Sequence, residues 1–124
     1  MKTSTVSNAD TQEQARVLSG AVVRAAERLG INNSSLAKIL GLSPASVSRL
    51  GTSKYYLVKG RKEWEFGVLF VRMFRSLDTL TGEAAQAWLK GANNALNGQP
   101  AEIIQTTEGL VRVVNYLDGF RGRV

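Results

Sequence analysis

The chain has no cysteine and no histidine among its 124 residues. Without cysteine there is no disulfide, no thiol nucleophile and no thiolate metal site. Without histidine the commonest metal ligand and the usual general base at neutral pH are missing. Together these absences exclude Ser-His-Asp and Cys-His hydrolysis and nearly all zinc chemistry, leaving carboxylate chemistry, phosphate chemistry or binding. Long apolar runs are also lacking. The longest, Phe66 to Val71 with Gly67 included, falls far short of a membrane span. Met1-Lys2-Thr3-Ser4-Thr5-Val6 lacks the apolar core of a signal peptide, and neither end carries a lipidation signal. The expectation is a soluble cytoplasmic protein with no membrane association, no cofactor and no metal.

Acidic residues are absent from one long stretch. Between Glu27 and Glu63 there is none, while Arg28, Lys38, Arg49, Lys54, Lys59, Arg61 and Lys62 are all basic. The whole chain carries 16 basic against 10 acidic residues, a net charge of +6, so the rest, with nine basic and ten acidic, is close to neutral. The positive charge is a local field, and concentrated basic residues are the electrostatic footprint of phosphate binding.

What is present is helical. With 44% apolar residues the chain can bury a core, and its length suits one compact domain or two very small ones. Ala15, Leu18, Val22, Ala25 and Leu29 recur at spacings of three and four, the stripe of an amphipathic helix. Asp10 and Glu13 read as its capping box and Gly30 as its stop. Leu36 to Leu40 predicts a short helix ending at Gly41, and Ser43-Pro44 starts another that runs to about Leu50. Residues 51–62 read as loop. Trp64 to Leu80 predicts a long helix with a wide apolar face of Phe66, Leu69, Phe70, Met73, Phe74, Leu77 and Leu80. After Thr81-Gly82, Glu83 to Lys90 is helical with Ala84, Ala85, Trp88 and Leu89 inward. A Gly/Asn-rich connection over 91–99 leads to a short helix from Pro100 to Gln105. Thr106 or Thr107 then caps a last helix with the stripe Leu110, Val113, Val114, Leu117 and Phe120. The only two prolines and the absence of strand alternation complete an all-α reading: residues 1–80 as a helical N-terminal domain, 81–124 as a small helical second domain.

Residues 34–50, Ser34-Ser35-Leu36-Ala37-Lys38-Ile39-Leu40-Gly41-Leu42-Ser43-Pro44-Ala45-Ser46-Val47-Ser48-Arg49-Leu50, fit a helix-turn-helix. Ala37 is small where the second helix crosses, and Gly41 takes a left-handed turn. Leu36, Leu40, Leu42, Val47 and Leu50 supply the seam. The outward residues of the second helix, Ser43, Ala45, Ser46, Ser48 and Arg49, are short or polar, as a helix entering the major groove of double-stranded DNA requires. Lys54, Lys59, Arg61 and Lys62 are candidate phosphate contacts. The alternatives are a plain helical hairpin and a solvated basic loop.

This segment resembles the Xre-type helix-turn-helix of toxin–antitoxin antitoxins. The second half is similar to the toxin-binding domain shared by the Xre, MbcA and ParS antitoxins. The carrying residues are Phe74-Arg75-Ser76-Leu77-Asp78, Ala87-Trp88-Leu89, Asn93-Asn94-Ala95-Leu96-Asn97-Gly98-Gln99-Pro100, Ile103-Ile104-Gln105-Thr106, Glu108-Gly109-Leu110-Val111-Arg112-Val113-Val114 and Tyr116-Leu117-Asp118 ahead of Arg121-Gly122. The chain departs from that pattern at Ala92 and Asn94, where the family often has Pro, and at Asn97, where it often has Gly. The resemblance implies an antitoxin that neutralises a cognate RES-domain toxin, an NAD-degrading enzyme. It also implies operator binding and autorepression of the operon. Through it alone, Arg121, Gly122, Arg123 and Val124 become the tail that blocks the toxin's NAD site. Arg pairs well with anions, although a frayed basic end beside the negative pole of the last helix would look the same.

Trp64, Phe66, Phe70 and Phe74 read as core, part of whose width could serve a homodimer seam matching a two-fold operator. Trp88 and Phe120 read as core of the second domain. Asp78, Glu83, Glu108 and Asp118 sit at helix boundaries or on polar faces without forming a catalytic pair, and Gly60-Arg61-Lys62 lacks the spacing and hydroxyl of a phosphate loop. No enzymatic role is expected. The alternative to an antitoxin is a stand-alone helix-turn-helix transcriptional regulator whose C-terminal domain mediates dimerisation. A small helical adaptor without DNA binding is disfavoured by the local charge.

Overall fold

A computed structural model describes residues 8–122. In chain order its helices are α1 (Asn8–Leu29), α2 (Asn33–Leu40), α3 (Pro44–Gly51), α4 (Lys62–Thr81), α5 (Ala85–Lys90), α6 (Pro100–Ile103) and α7 (Thr107–Arg121). A 3-10 turn at Gly82–Ala84 leads into α5. The described residues contain no strand, only an isolated bridge between Asn93 and Gly98, so the all-α expectation holds.

The helix ends follow from short polar side chains and left-handed turns. Asn32 caps α2 by accepting from the Ser35 amide at 2.8 Å. Gly41 closes it at φ 70°, and the Leu42 amide reaches back to the Ala37 carbonyl at 2.9 Å. Ser43 caps α3 through the Ser46 amide at 3.1 Å, with Pro44 in the first turn. Of the two threonines ahead of the last helix, Thr106 is the cap, its hydroxyl accepting from the Gly109 amide at 3.0 Å. Asn97 takes φ 61°. The position therefore needs a left-handed backbone, which Asn tolerates better than any residue but Gly.

α4 is the central element and packs against α1, α2, α5 and α7. α1 runs parallel to it, with Leu18 and Val22 beside Gly67 and Arg28 paired with Asp78 at 3.6 Å further along. One continuous apolar cluster links both halves, from Val22, Leu29 and Leu40 through Phe70, Met73 and Leu77 to Ile104, Leu110 and Leu117. Each such side chain contributes roughly 1.5–3 kcal/mol by leaving water.

The loop after α3 is pinned to this core. Leu57 is fully buried, and its amide donates to the buried Ser19 hydroxyl of α1 at 2.9 Å. Glu63, in the first turn of α4, is only 7% exposed. Its carboxylate accepts from the Val58 amide at 2.9 Å and from the Tyr55 hydroxyl.

Some expectations about facing residues need correcting. Phe120 is 47% exposed, and Leu80 and Ala84 are also exposed. Phe120 and Leu80 continue the correct stripe but lie near the ends of α7 and α4. Periodicity says which side of a helix a residue occupies, not how far the neighbouring surface extends. Asp10 lies within the first turn of α1 rather than at its boundary, and the Glu13 carboxylate holds Arg16 at 2.6 Å instead of closing a capping box. That hydrogen bond, with the guanidinium charge, keeps the Glu13 carboxyl below its ordinary range.

Candidate nucleic-acid interface and C-terminal surface

α2 and α3 meet through Leu36, Leu40, Val47 and Leu50, all buried, with Leu42 half-buried against them. Ala37 is buried as well. Gly41 faces the Phe66 ring of α4: a Cβ there would lie 3.3 Å from the ring edge. This contact with α4 adds to the left-handed turn as a reason for glycine.

The seam leaves one face of α3 outside. Ser43, Ala45, Ser48 and Arg49 are exposed, and Ser46 is half-buried. Ser43 and Ser46 share a hydroxyl contact at 3.1 Å, and Arg49 donates to the Ser46 hydroxyl at 3.4 Å. The face is thus held by its own short side chains, and its one long cation lies along the helix. Lys54, Lys59, Arg61 and Lys62 are exposed too. Lys59 reaches back to the Gln14 side chain on α1 at 2.8 Å, and Lys62 pairs loosely with Glu65 at 3.6 Å. These surface contacts are weak enough to be exchanged for phosphate.

Two features escape a linear reading. Glu63, which ends the acid-free stretch, turns its carboxylate inward, so it adds no negative charge to the surface beside α3. Arg16 and Arg24 of α1, distant in sequence, line a cleft with Leu50, Gly51, Ser53 and Tyr56 at the end of α3. Only the packing of α1 beside α3 brings them there, and no local motif would have selected them.

At the other end, Trp88 stacks with Tyr116 at 6.5 Å between centroids, and Tyr116 meets Phe120 edge-to-face at 5.0 Å. The connection after α5 is held from α7 by Arg112, which donates to the Leu96 carbonyl. α7 is fastened to α4 by the Arg72–Asp118 ion pair and by Arg121, whose guanidinium donates to the buried Ser76 hydroxyl at 3.1 Å. Of the four expected tail residues, Arg121 is therefore exposed but tethered, and Gly122 is exposed with its amide on the Asp118 carbonyl at 2.8 Å. Arg123 and Val124 lie outside the described residues. Among the described residues no group of acidic side chains is arranged to hold a metal ion, and no helix is long and apolar enough to cross a membrane.

Comparison with known families bears on both ends. Residues 9–72 match the family described as the antitoxin Xre-like helix-turn-helix domain. The chain belongs to the Xre-like antitoxins. Residues 76–123 match the antitoxin Xre/MbcA/ParS C-terminal toxin-binding domain. In this Xre-like antitoxin the two matches meet within α4, the helix that carries the shared core. No curated protein matches the chain. The family places the antitoxin in a toxin–antitoxin pair, with a helix-turn-helix toward DNA and a second region toward the toxin.

Proposed function

We propose that this antitoxin neutralises a RES-domain, NAD-degrading toxin and, as a homodimer, binds operator DNA to repress its own operon. The observation that carries the reading is the union in one small chain of an acid-free, outward α3 face and a domain of the toxin-binding family. On this reading it acts in the cytoplasm by binding and performs no chemistry. Ser43, Ala45, Ser46, Ser48 and Arg49 meet the major groove, while Lys54, Lys59, Arg61 and Lys62 meet phosphates. A division of labour near residue 80 gives residues 1–80 the DNA and 81–124 the toxin. Arg121, Gly122, Arg123 and Val124 form the tail that blocks the NAD site, where guanidinium groups suit a dinucleotide diphosphate.

The test is co-expression with a RES-domain reading frame adjacent to the gene, followed by co-purification and measurement of cellular NAD. Full-length antitoxin should co-purify with the toxin and preserve NAD. A chain lacking residues 121–124 should lose most of that protection while still shifting operator DNA. Full protection by the truncated chain would remove the tail from the mechanism. DNA binding without any toxin partner would favour the stand-alone regulator.

A further inference from the structure

An open groove of about 700 Å³ runs between α1 and α4. It adjoins the α3 cleft, with Val17 at the edge of both, but otherwise uses another side of α1: the cleft uses Ser19, Gly20 and Val23, and this groove uses Gln14, Leu18 and Ala21. Its lining is mostly apolar, with Val17 51% exposed and Val68 44% exposed along its length. The large aromatics of α4 are accounted for elsewhere. Phe70 is buried, Phe66 lies beneath Gly41, and Phe74 lies under the Arg28 guanidinium at 5.7 Å. The two valines are thus the apolar side chains that α1 and α4 leave uncovered in this groove.

The ends of the groove carry opposite charge. Glu13 lines it on the N-terminal part of α1, and Arg75 lines it on the C-terminal half of α4, where Arg72, paired with Asp118, and Arg121, on the Ser76 hydroxyl, line it as well. Arg75 has no carboxylate partner among the described residues, unlike Arg72, which holds Asp118. Among the described residues Glu13 is held only by Arg16, an exposed pair three residues apart that is readily exchanged. Because α1 and α4 are parallel, Glu13 and Arg75 sit at opposite ends of an apolar middle.

We propose that this groove is the surface through which two copies of the chain associate. A two-fold interface uses the same patch on both copies, so the patch must be complementary to itself. This one is: an in-plane two-fold axis lying across the line from Glu13 to Arg75 sets each Glu13 against the other copy's Arg75. The same operation lays the Val17 and Val68 side chains of the two copies over one another and buries them. No α3 residue lines the groove, so association here leaves the outward face of α3 uncovered in each copy, whereas Arg121 at its edge serves either the second copy or the toxin, not both at once. The assignment rests on the homodimer reading above and adds its location.

Sedimentation equilibrium on full-length chains tests it, with far-UV circular dichroism confirming that each variant is folded. Glu13→Arg and Arg75→Glu should each weaken self-association at least roughly tenfold, since like charges then face each other across the interface. An equimolar mixture of the two variants should recover a dimer, because each copy supplies the charge the other lost. Val68→Asp should give a helical monomer. A wild-type dimer that all three substitutions leave intact would overturn this surface while sparing the dimer. Variants that weaken but fail to recover on mixing would also overturn it. A wild-type chain that stays monomeric both free and on operator DNA would overturn the dimer reading itself.

Discussion

Glu63 is charged by type and interior by position. Its burial is compensated by two donors, the Val58 amide and the Tyr55 hydroxyl, which together tie the loop after α3 to the start of α4. The tyrosine responds in turn: burial raises its phenol above the ordinary value, and the hydrogen bond it donates to the Glu63 carboxylate, with that negative charge, raises it further. A group whose value is raised by folding contributes stability that is full below the unfolded value, about 10 for a phenol, and is lost as pH climbs through the folded value. Tyr55→Phe should therefore lower unfolding free energy near neutral pH by about 1 kcal/mol. The gap between wild type and variant should shrink at strongly alkaline pH. Urea titrations at a series of pH values check this, and a gap that stays constant through that range would remove the assignment. Gly109 is another residue whose type is dictated from outside its helix, since a Cβ there would fall on the Ile103 carbonyl.

At the scale of the element, α3 is a helix of eight residues that owes its form to its ends and its seam. Ser43 and Pro44 set its start, while Val47 and Leu50 hold it against α2. Arg49 contributes to neither, so its replacement leaves the helix intact. Arg49→Ala should weaken binding to DNA by about 1–3 kcal/mol if it grips a base edge. If it holds a phosphate, the salt dependence should become shallower by about 0.9 log unit per log unit of salt. Fluorescence anisotropy at several salt concentrations distinguishes the two, and unchanged affinity with unchanged slope would take Arg49 out of the interface. The wide apolar face of α4 divides at the same scale. Phe70, Met73 and Leu77 are core, Phe66 and Phe74 lie beneath neighbours, and Val68 opens into the groove.

At the scale of the molecule, the DNA-facing and toxin-facing regions share α4 and one apolar cluster. Such sharing predicts a single cooperative unfolding transition rather than two. Trp64 reports on the start of α4 and Trp88 on α5, so single-tryptophan variants, Trp88→Phe and Trp64→Phe, should melt together by fluorescence. Separated midpoints would show that the two regions unfold independently. The same continuity limits how far residues 76–123 could be trimmed without loosening α3, because α2 also rests on α4.

Taken by itself, the order of residues determined the helices and the helix-turn-helix. Those depend on periodicity, caps and left-handed turns, which act over a few neighbours: Gly41 and Ser43-Pro44 were readable, and the last cap was narrowed to Thr106 or Thr107, while the Asn32 cap of α2 came from the structure. The charge-depleted stretch was also readable, because it is contiguous. Tertiary structure decided the rest. It sent Glu63 inward, brought Arg16 and Arg24 beside the end of α3, set Arg121 on Ser76, left Phe120 and Leu80 exposed, and opened the α1–α4 groove. Each of these depends on where an element stops relative to another, and on contacts between residues far apart in the chain. Local spacing encodes the face a side chain occupies, but the partner that meets it there is set by packing.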